Sequence, residues 1–255
     1  MGADMGVFLT LVRRELGIAF NALTGYVVVA ITLLLAGFGL TELLGTLNAE
    51  RTDAPITEMF FGEGLVFWLI LIVITPVITM RSFASEKALG TYESLMTTPV
   101  GDWQVVLAKF AGAFVFYLAS WIPMIGVLIG LRQLTGQSEF LDPRAMVGSL
   151  IGIACVGSTY LSAGIFSSSL TRSQIIAAMT SLMIGVGVWA SSFRPAVTGT
   201  EGDRIGRILD HLSVTRHMQD FSRGVIDGRA LVFHLSFTVL FLFLTHRVVE
   251  MRRWK

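Results

Sequence analysis

Long apolar runs separated by short polar stretches recur along this chain, and six of them are candidates for membrane-crossing helices. They fall at about 26–44, 65–80, 105–131, 146–166, 175–193 and 230–245. A bilayer core about 30 Å thick needs roughly 20 apolar residues at about 1.5 Å of helical rise each. The second and sixth runs are short for this, so tilt, local thinning or extra residues at their ends must complete them. Strand-like alternation is absent, so helices rather than a barrel must satisfy the backbone in lipid.

Three segments show a different, amphipathic pattern. Ahead of the first run, Phe8, Leu11, Val12, Leu16 and Phe20 recur at helical spacing while Arg13, Arg14 and Asn21 lie elsewhere. This predicts an elbow helix over 1–24, lying in the membrane surface or packed on its own protein; both fit the spacing. Toward the end, Ile205, Ile208, Leu209 and Leu212, then Met218, Phe221 and Val225, predict one or two amphipathic helices within 200–228. Gly224 and Gly228 break them from the last run.

The third segment, 81–102, carries RSFASEKALGTYESLMTTPV between two nearly charge-free runs. Leu89, Tyr92 and Met96 are expected on one helical face, and Glu86 and Glu93 on another. Gly90 interrupts the helix, and Thr91 can cap a second one with Glu93 in its first turn. Thr98 before Pro99 ends that helix, and Asp102 can cap the next span at Trp103. A polar hairpin held between two spans is a docking surface for something in the adjacent water.

Composition agrees. The chain is 53% hydrophobic and 15% charged, with mean hydropathy +0.71, too apolar for a soluble domain. The expected fold is an all-α integral membrane protein, one domain over 1–255, with six transmembrane helices. Cys155 is the sole cysteine, which excludes an intramolecular disulfide or a thiolate metal cluster. A net charge of +1 argues against nucleic acid as a partner. Arg13, Arg14 and Glu15 interrupt any signal-peptide core, so the first span is expected to be retained.

Basic residues orient the spans. With the N-terminus inside, the inner side holds Arg13, Arg14, Arg81, Lys87, Lys109, Arg172, Arg247, Arg252, Arg253 and Lys255 of the 19 Lys and Arg. The two shorter outer loops hold Arg51, Arg132 and Arg144. The loop 194–229 opposes this with its own basic residues, offset in net charge by Glu201, Asp203, Asp210, Asp220 and Asp227. The balance predicts both termini in the cytoplasm.

Several chemistries are missing. No lysine follows a glycine, so there is no P-loop to bind nucleotide. HExxH is absent, and around Ser162 the nucleophile-elbow pattern lacks its first glycine, leaving a packing serine as the better reading. Ionisable residues are nearly absent from the span interiors, where an ion-coupled carrier would place carboxylates or histidines, and Glu42 lies near the outer end of the first run. His211, His217 and Met218 are candidates for a soft or borderline metal, or plain surface groups; a spacing of six between the histidines does not match i, i+4 pairing. Gly126 with Gly130 and Gly148 with Gly152 form small-residue ridges suited to helix packing, within one subunit or between two.

The residues of the charged segment resemble the membrane permeases of type-2 ABC exporters. Arg81, Glu86, Gly90, Thr91, Glu93, Pro99 and Val100 occupy that family's basic residue, Glu, Gly-Thr-x-Glu and Pro-Val positions, and Lys109 matches its lysine at the start of the next span. The similarity extends over essentially the whole chain. Phe221, Arg223, Gly224, Val225, Ile226 and Asp227 look like the branch containing gliding-motility permeases and the permease of nitrous-oxide-reductase copper maturation.

The resemblance implies a half-transporter in a bacterial inner membrane that dimerises with a second permease copy or a paralogue and binds a separate cytoplasmic ATPase. Residues Arg81, Glu86, Lys87, Gly90, Thr91, Glu93 and Pro99 would couple to that ATPase, which would hold ATP and Mg. This chain would need no cofactor and catalyse nothing itself. A mechanical subunit passing ATPase motion to a periplasmic partner without moving a solute is the second reading. An intramembrane enzyme is the third, and lacks a polar catalytic pair at membrane depth. Nearly charge-free spans favour a lipid-like, polymeric or peptidic cargo over an ionic solute.

Overall fold

A computed structural model of the chain describes residues 2–49, 55–92, 101–135, 142–192 and 212–253. Every regular element among them is helical. In chain order these are α1 (Gly2–Asn21), α2 (Leu23–Ala49), a π-helical segment (Glu58–Glu63), α3 (Leu65–Thr79) and α4 (Ala84–Leu89). Then come α5 (Asp102–Thr135), α6 (Pro143–Leu170), α7 (Gln174–Ala190), α8 (Val214–Ser222) and α9 (Gly228–Arg253).

Five stretches are long and apolar enough to cross a membrane: Leu23–Thr46, Leu65–Leu89, Asp102–Gly130, Pro143–Leu170 and Gly228–Met251. The stretch expected as a fifth span is Gln174–Ala190, apolar but only 17 residues long. The last run gains the extra residues at its ends that its shortness calls for, since α9 continues through its polar end to 26 residues. There His246 stacks on Trp103 at 4.3 Å between ring centroids, and Arg247 pairs with Glu250 at 2.8 Å one turn on. The stack packs the His246 ring and the ion pair offsets Arg247, while His246 Nδ1 is buried without a hydrogen-bond partner among the described residues.

Helices α3, α5, α7 and α9 pack against α6, and α2 packs on α3 and α5. The apolar window of α6 is 67% buried against 28% for α9. Small residues let α6 occupy the centre. A side chain on Gly157 would strike the Tyr117 ring, and one on Gly164 would strike Thr79. Large side chains fill the space between: Phe61, Phe67, Tyr117 and Trp121 are fully buried and meet edge-on or tilted, as their ring quadrupoles favour. Hydroxyls inside the spans bond their own helices, as Thr32 does to Val28 O, Thr75 to Leu71 O and Ser167 to Ala163 O. In lipid, no water would take that role.

At the amphipathic segments, α1 lies along α5 and bends at Ala22 into α2. α8 buries Val214, Met218, Phe221 and Ser222 against α6. Its seat is made by Gly148 and Gly152: a side chain at the former would hit Phe221 O, and at the latter would come within 2.8 Å of Met218 Sδ. Residues 193–211, which carry the first part of the expected outer helices, lie outside the described residues.

Candidate functional site

The charged segment leaves α3 through a turn at Met80–Phe83 and forms α4. One hydroxyl fixes that turn. Ser168 Oγ, near the end of α6, accepts from the N–H groups of Phe83 and Ala84 at 3.1 Å each and donates to Met80 O at 3.0 Å. Two donors at the start of α4, which have no partner within their own helix, are thereby satisfied. The helix ends at Gly90, whose φ of 72° lies in the left-handed region that glycine enters without strain.

Gly90 also corrects the expected face. Leu89 is 77% exposed while Tyr92 is buried, because the left-handed residue between them breaks the helical register. Asp102 is corrected by one position: it is the first residue of α5, and Gln104 Oε1 accepts from Gly101 N at 3.4 Å.

α4 turns its charges inward. Glu86 Oε1 accepts from Arg14 Nη2 and from Lys109 Nζ, both at 2.9 Å, and Lys109 Nζ also reaches Glu15 Oε1 at 3.2 Å. Lys109 is 3% exposed and lies 5.2 Å from the centre of the Phe83 ring. Charges so enclosed persist only when paired. Two cations and two carboxylates here cancel, and they join α1, α4 and α5 at one point. The neighbouring Lys87 is buried, donates to Ser169 O at the end of α6 and sits over Tyr92. Arg81 is exposed and its guanidinium donates to Thr24 Oγ1 on α2 at 3.2 Å.

Of the expected coupling residues, Glu86 and Lys87 stand on α4, Arg81 in the turn before it and Gly90 and Thr91 just after it, with Ala88, Leu89, Gly90 and Thr91 exposed. Glu93 and Pro99 lie outside the described residues. Arg14 and Glu15 join the site although the elbow's apolar spacing gives them no role. The signal for them is Lys109 itself, a lone charge at the start of an apolar span that needs a carboxylate. Gly112, one turn further along α5, makes room for it: a side chain there would come within 2.7 Å of Glu15 Cβ.

At the other end of the bundle, Glu58 of the π-helical segment is buried and accepts from Arg223 Nε at 2.7 Å. That hydrogen bond and the carboxylate charge hold the Arg223 guanidinium above its ordinary range. Thr57 Oγ1 adds a bond to Ser222 O at 2.9 Å. Together they clip α8 to the entry of α3.

Met218 and His217 diverge: Met218 is buried against Gly152, while His217 meets the rings of Phe233 and His234. His211 lies outside the described residues, and among those described no group of three or more His, Cys, Asp or Glu is placed to hold a metal ion. Ser162 is buried and donates to Thr159 O at 2.8 Å. Gly148 and Gly152 pack within the chain, whereas a side chain on Gly126 or Gly130 would meet nothing.

These helices and the buried ionic junction define a multi-pass membrane protein whose polar helix α4 is fastened to the bundle. The family model described as ABC-2 family transporter protein matches residues 49–245, and the chain belongs to that family as a permease subunit. No curated protein matches the chain.

Proposed function

We propose that the chain is the membrane subunit of an ATP-driven exporter, crossing a bacterial inner membrane six times with both termini in the cytoplasm. α7 completes the six by tilting or by local thinning, since 17 residues span about 25 Å. A separate ATPase binds ATP and Mg, and two permease copies, or this chain and a paralogue, form the transport unit. Phe221, Arg223 and Gly224 support the gliding-motility and copper-maturation branch.

The observation that carries this reading is Glu86, bonded at once to the elbow and to α5. In this scheme Leu89, Gly90 and Thr91 meet the ATPase, and Glu86 with Lys87 hands the displacement to α1, α5 and α6. Coupling then needs no charge at the ATPase contact from this helix.

The test is reconstitution with the cognate ATPase in proteoliposomes. Leu89→Asp is expected to abolish permease-dependent stimulation of ATP hydrolysis while the chain still inserts and melts as the parent does. If instead Leu89→Cys reacts with a membrane-impermeant maleimide only from the extracytoplasmic side, the reading fails.

A further inference from the structure

A cavity of about 250 Å³ opens between α1, α2, α3, α4 and α5. That is room for about eight waters at ~30 Å³ each. Its lining divides by chemistry. Arg14, Arg81, Glu86 and Lys109 stand at the polar end, and Val28, Val77, Ile78 and Phe116 form an apolar wall.

Two features of the polar end ask for complementary groups. The four charges of the ionic junction cancel, so Arg81 is the excess cation, and among the described residues it has no carboxylate partner and one hydrogen bond, to Thr24. A guanidinium carries five N–H donors, so most of them are open. Glu86 uses Oε1 for both Arg14 and Lys109, while its Oε2 is buried without a hydrogen-bond partner among the described residues. A buried carboxylate oxygen left so is costly and calls for a donor.

We propose that this cavity binds a bilayer phospholipid with a primary ammonium headgroup, its phosphate on Arg81, an acyl chain along Val28, Val77 and Phe116, and its ammonium on Glu86 once the carboxylate turns its enclosed Oε2 toward the cavity. The position suits such a ligand. The cavity lies where the amphipathic α1 meets the ends of apolar spans, the level at which headgroups sit. A free phosphate would bring neither an ammonium nor the apolar tail, and a quaternary ammonium has no N–H to give. The assignment rests on the exporter reading only for the leaflet, which that reading makes the cytoplasmic one.

The experiment uses the full chain without any ATPase, delipidated in mild detergent and titrated with phosphatidylethanolamine, phosphatidylglycerol or phosphatidylcholine of the same acyl chains, with bound lipid counted by native mass spectrometry. Retention of phosphatidylethanolamine should exceed that of each other lipid by about tenfold, the scale of one charge-assisted hydrogen bond. Arg81→Gln should lower retention of all three lipids by about tenfold, since each carries the phosphate, while Ala22→Phe, which fills the cavity from the bend between α1 and α2, should remove the preference by sterics; melting curves identify any variant that fails to fold. Equal retention of the three lipids by the parent, a preference for phosphatidylglycerol, a folded Arg81→Gln chain that retains the lipids as the parent does, or a folded Ala22→Phe chain that keeps the parent's preference would each overturn the assignment. Glycerophosphoethanolamine, which lacks acyl chains, should not displace the lipid at equal concentration; displacement would make the site one for a soluble phosphoester. Because no ATPase is present, failure here leaves the exporter reading standing, and failure of the Leu89→Asp test leaves this one.

Discussion

Glu15 lies so close to Gly112 that a side chain there would begin 2.7 Å from Glu15 Cβ. The elbow can approach α5, and its carboxylate can reach Lys109, because position 112 has no side chain. Gly112→Val should push α1 away and separate Glu15 from Lys109, at the cost of about 1–3 kcal/mol typical of overpacking. A lower melting temperature in detergent and faster proteolysis within α1 would be the signs of it, and an unchanged pair of measurements would refute it.

Lys109→Met removes the enclosed cation and leaves two carboxylates facing each other. Breaking one partner of a buried ion network costs roughly 3–5 kcal/mol. The double variant Lys109→Met with Glu86→Leu, which removes the stranded charge as well, should recover part of that loss. A double-mutant cycle on thermal melting reads the difference, and strict additivity would show that the 2.9 Å contact is energetically idle.

Arg223→Gln strands the buried Glu58 and should loosen α8 from the entry of α3. The drop in melting temperature should be smaller than for Lys109→Met, because the Arg223 side chain is 52% exposed. The sign with pH follows from the pairing. Glu58 raises the Arg223 pKa above its unfolded value, so the arginine's contribution is fully present below that unfolded pKa and lost only as pH climbs through the folded one. Titrating melting temperature between about pH 6 and 10 should therefore show no loss attributable to Arg223.

Two glycine ridges should respond oppositely to alanine. Gly148→Ala would drive a methyl group into Phe221 O and unseat α8, whereas Gly126→Ala has open space before it. Gly148→Ala should lower stability and Gly126→Ala should leave the single chain unaffected. If Gly126→Ala nevertheless weakens self-association in cross-linking, that face of α5 is where a second copy rests.

Much of the fold is legible in the sequence because lipid imposes a coarse rule: a long apolar run must be helix, and its ends must be polar. The amphipathic helix ahead of the first run, the break at Gly90 and the small-residue ridge at Gly148 and Gly152 follow from local spacing, but not the partner of that ridge. What escapes is whatever depends on distant partners. Nothing near Lys109 in the chain names Glu15, 94 residues earlier, and nothing near Glu58 names Arg223, 165 residues later. The stacking of His246 on Trp103 escapes for the same reason. The inward turn of Glu86 and Lys87 is likewise hidden, because on a short surface helix a charge pattern alone does not say which side faces the protein.

The three bonds of Ser168 bind the corner between α3 and α4 to the most enclosed helix of the bundle. In the exporter proposed above, pressure on Leu89 would therefore reach α6 as torque through that corner rather than be spent as independent swinging of α4.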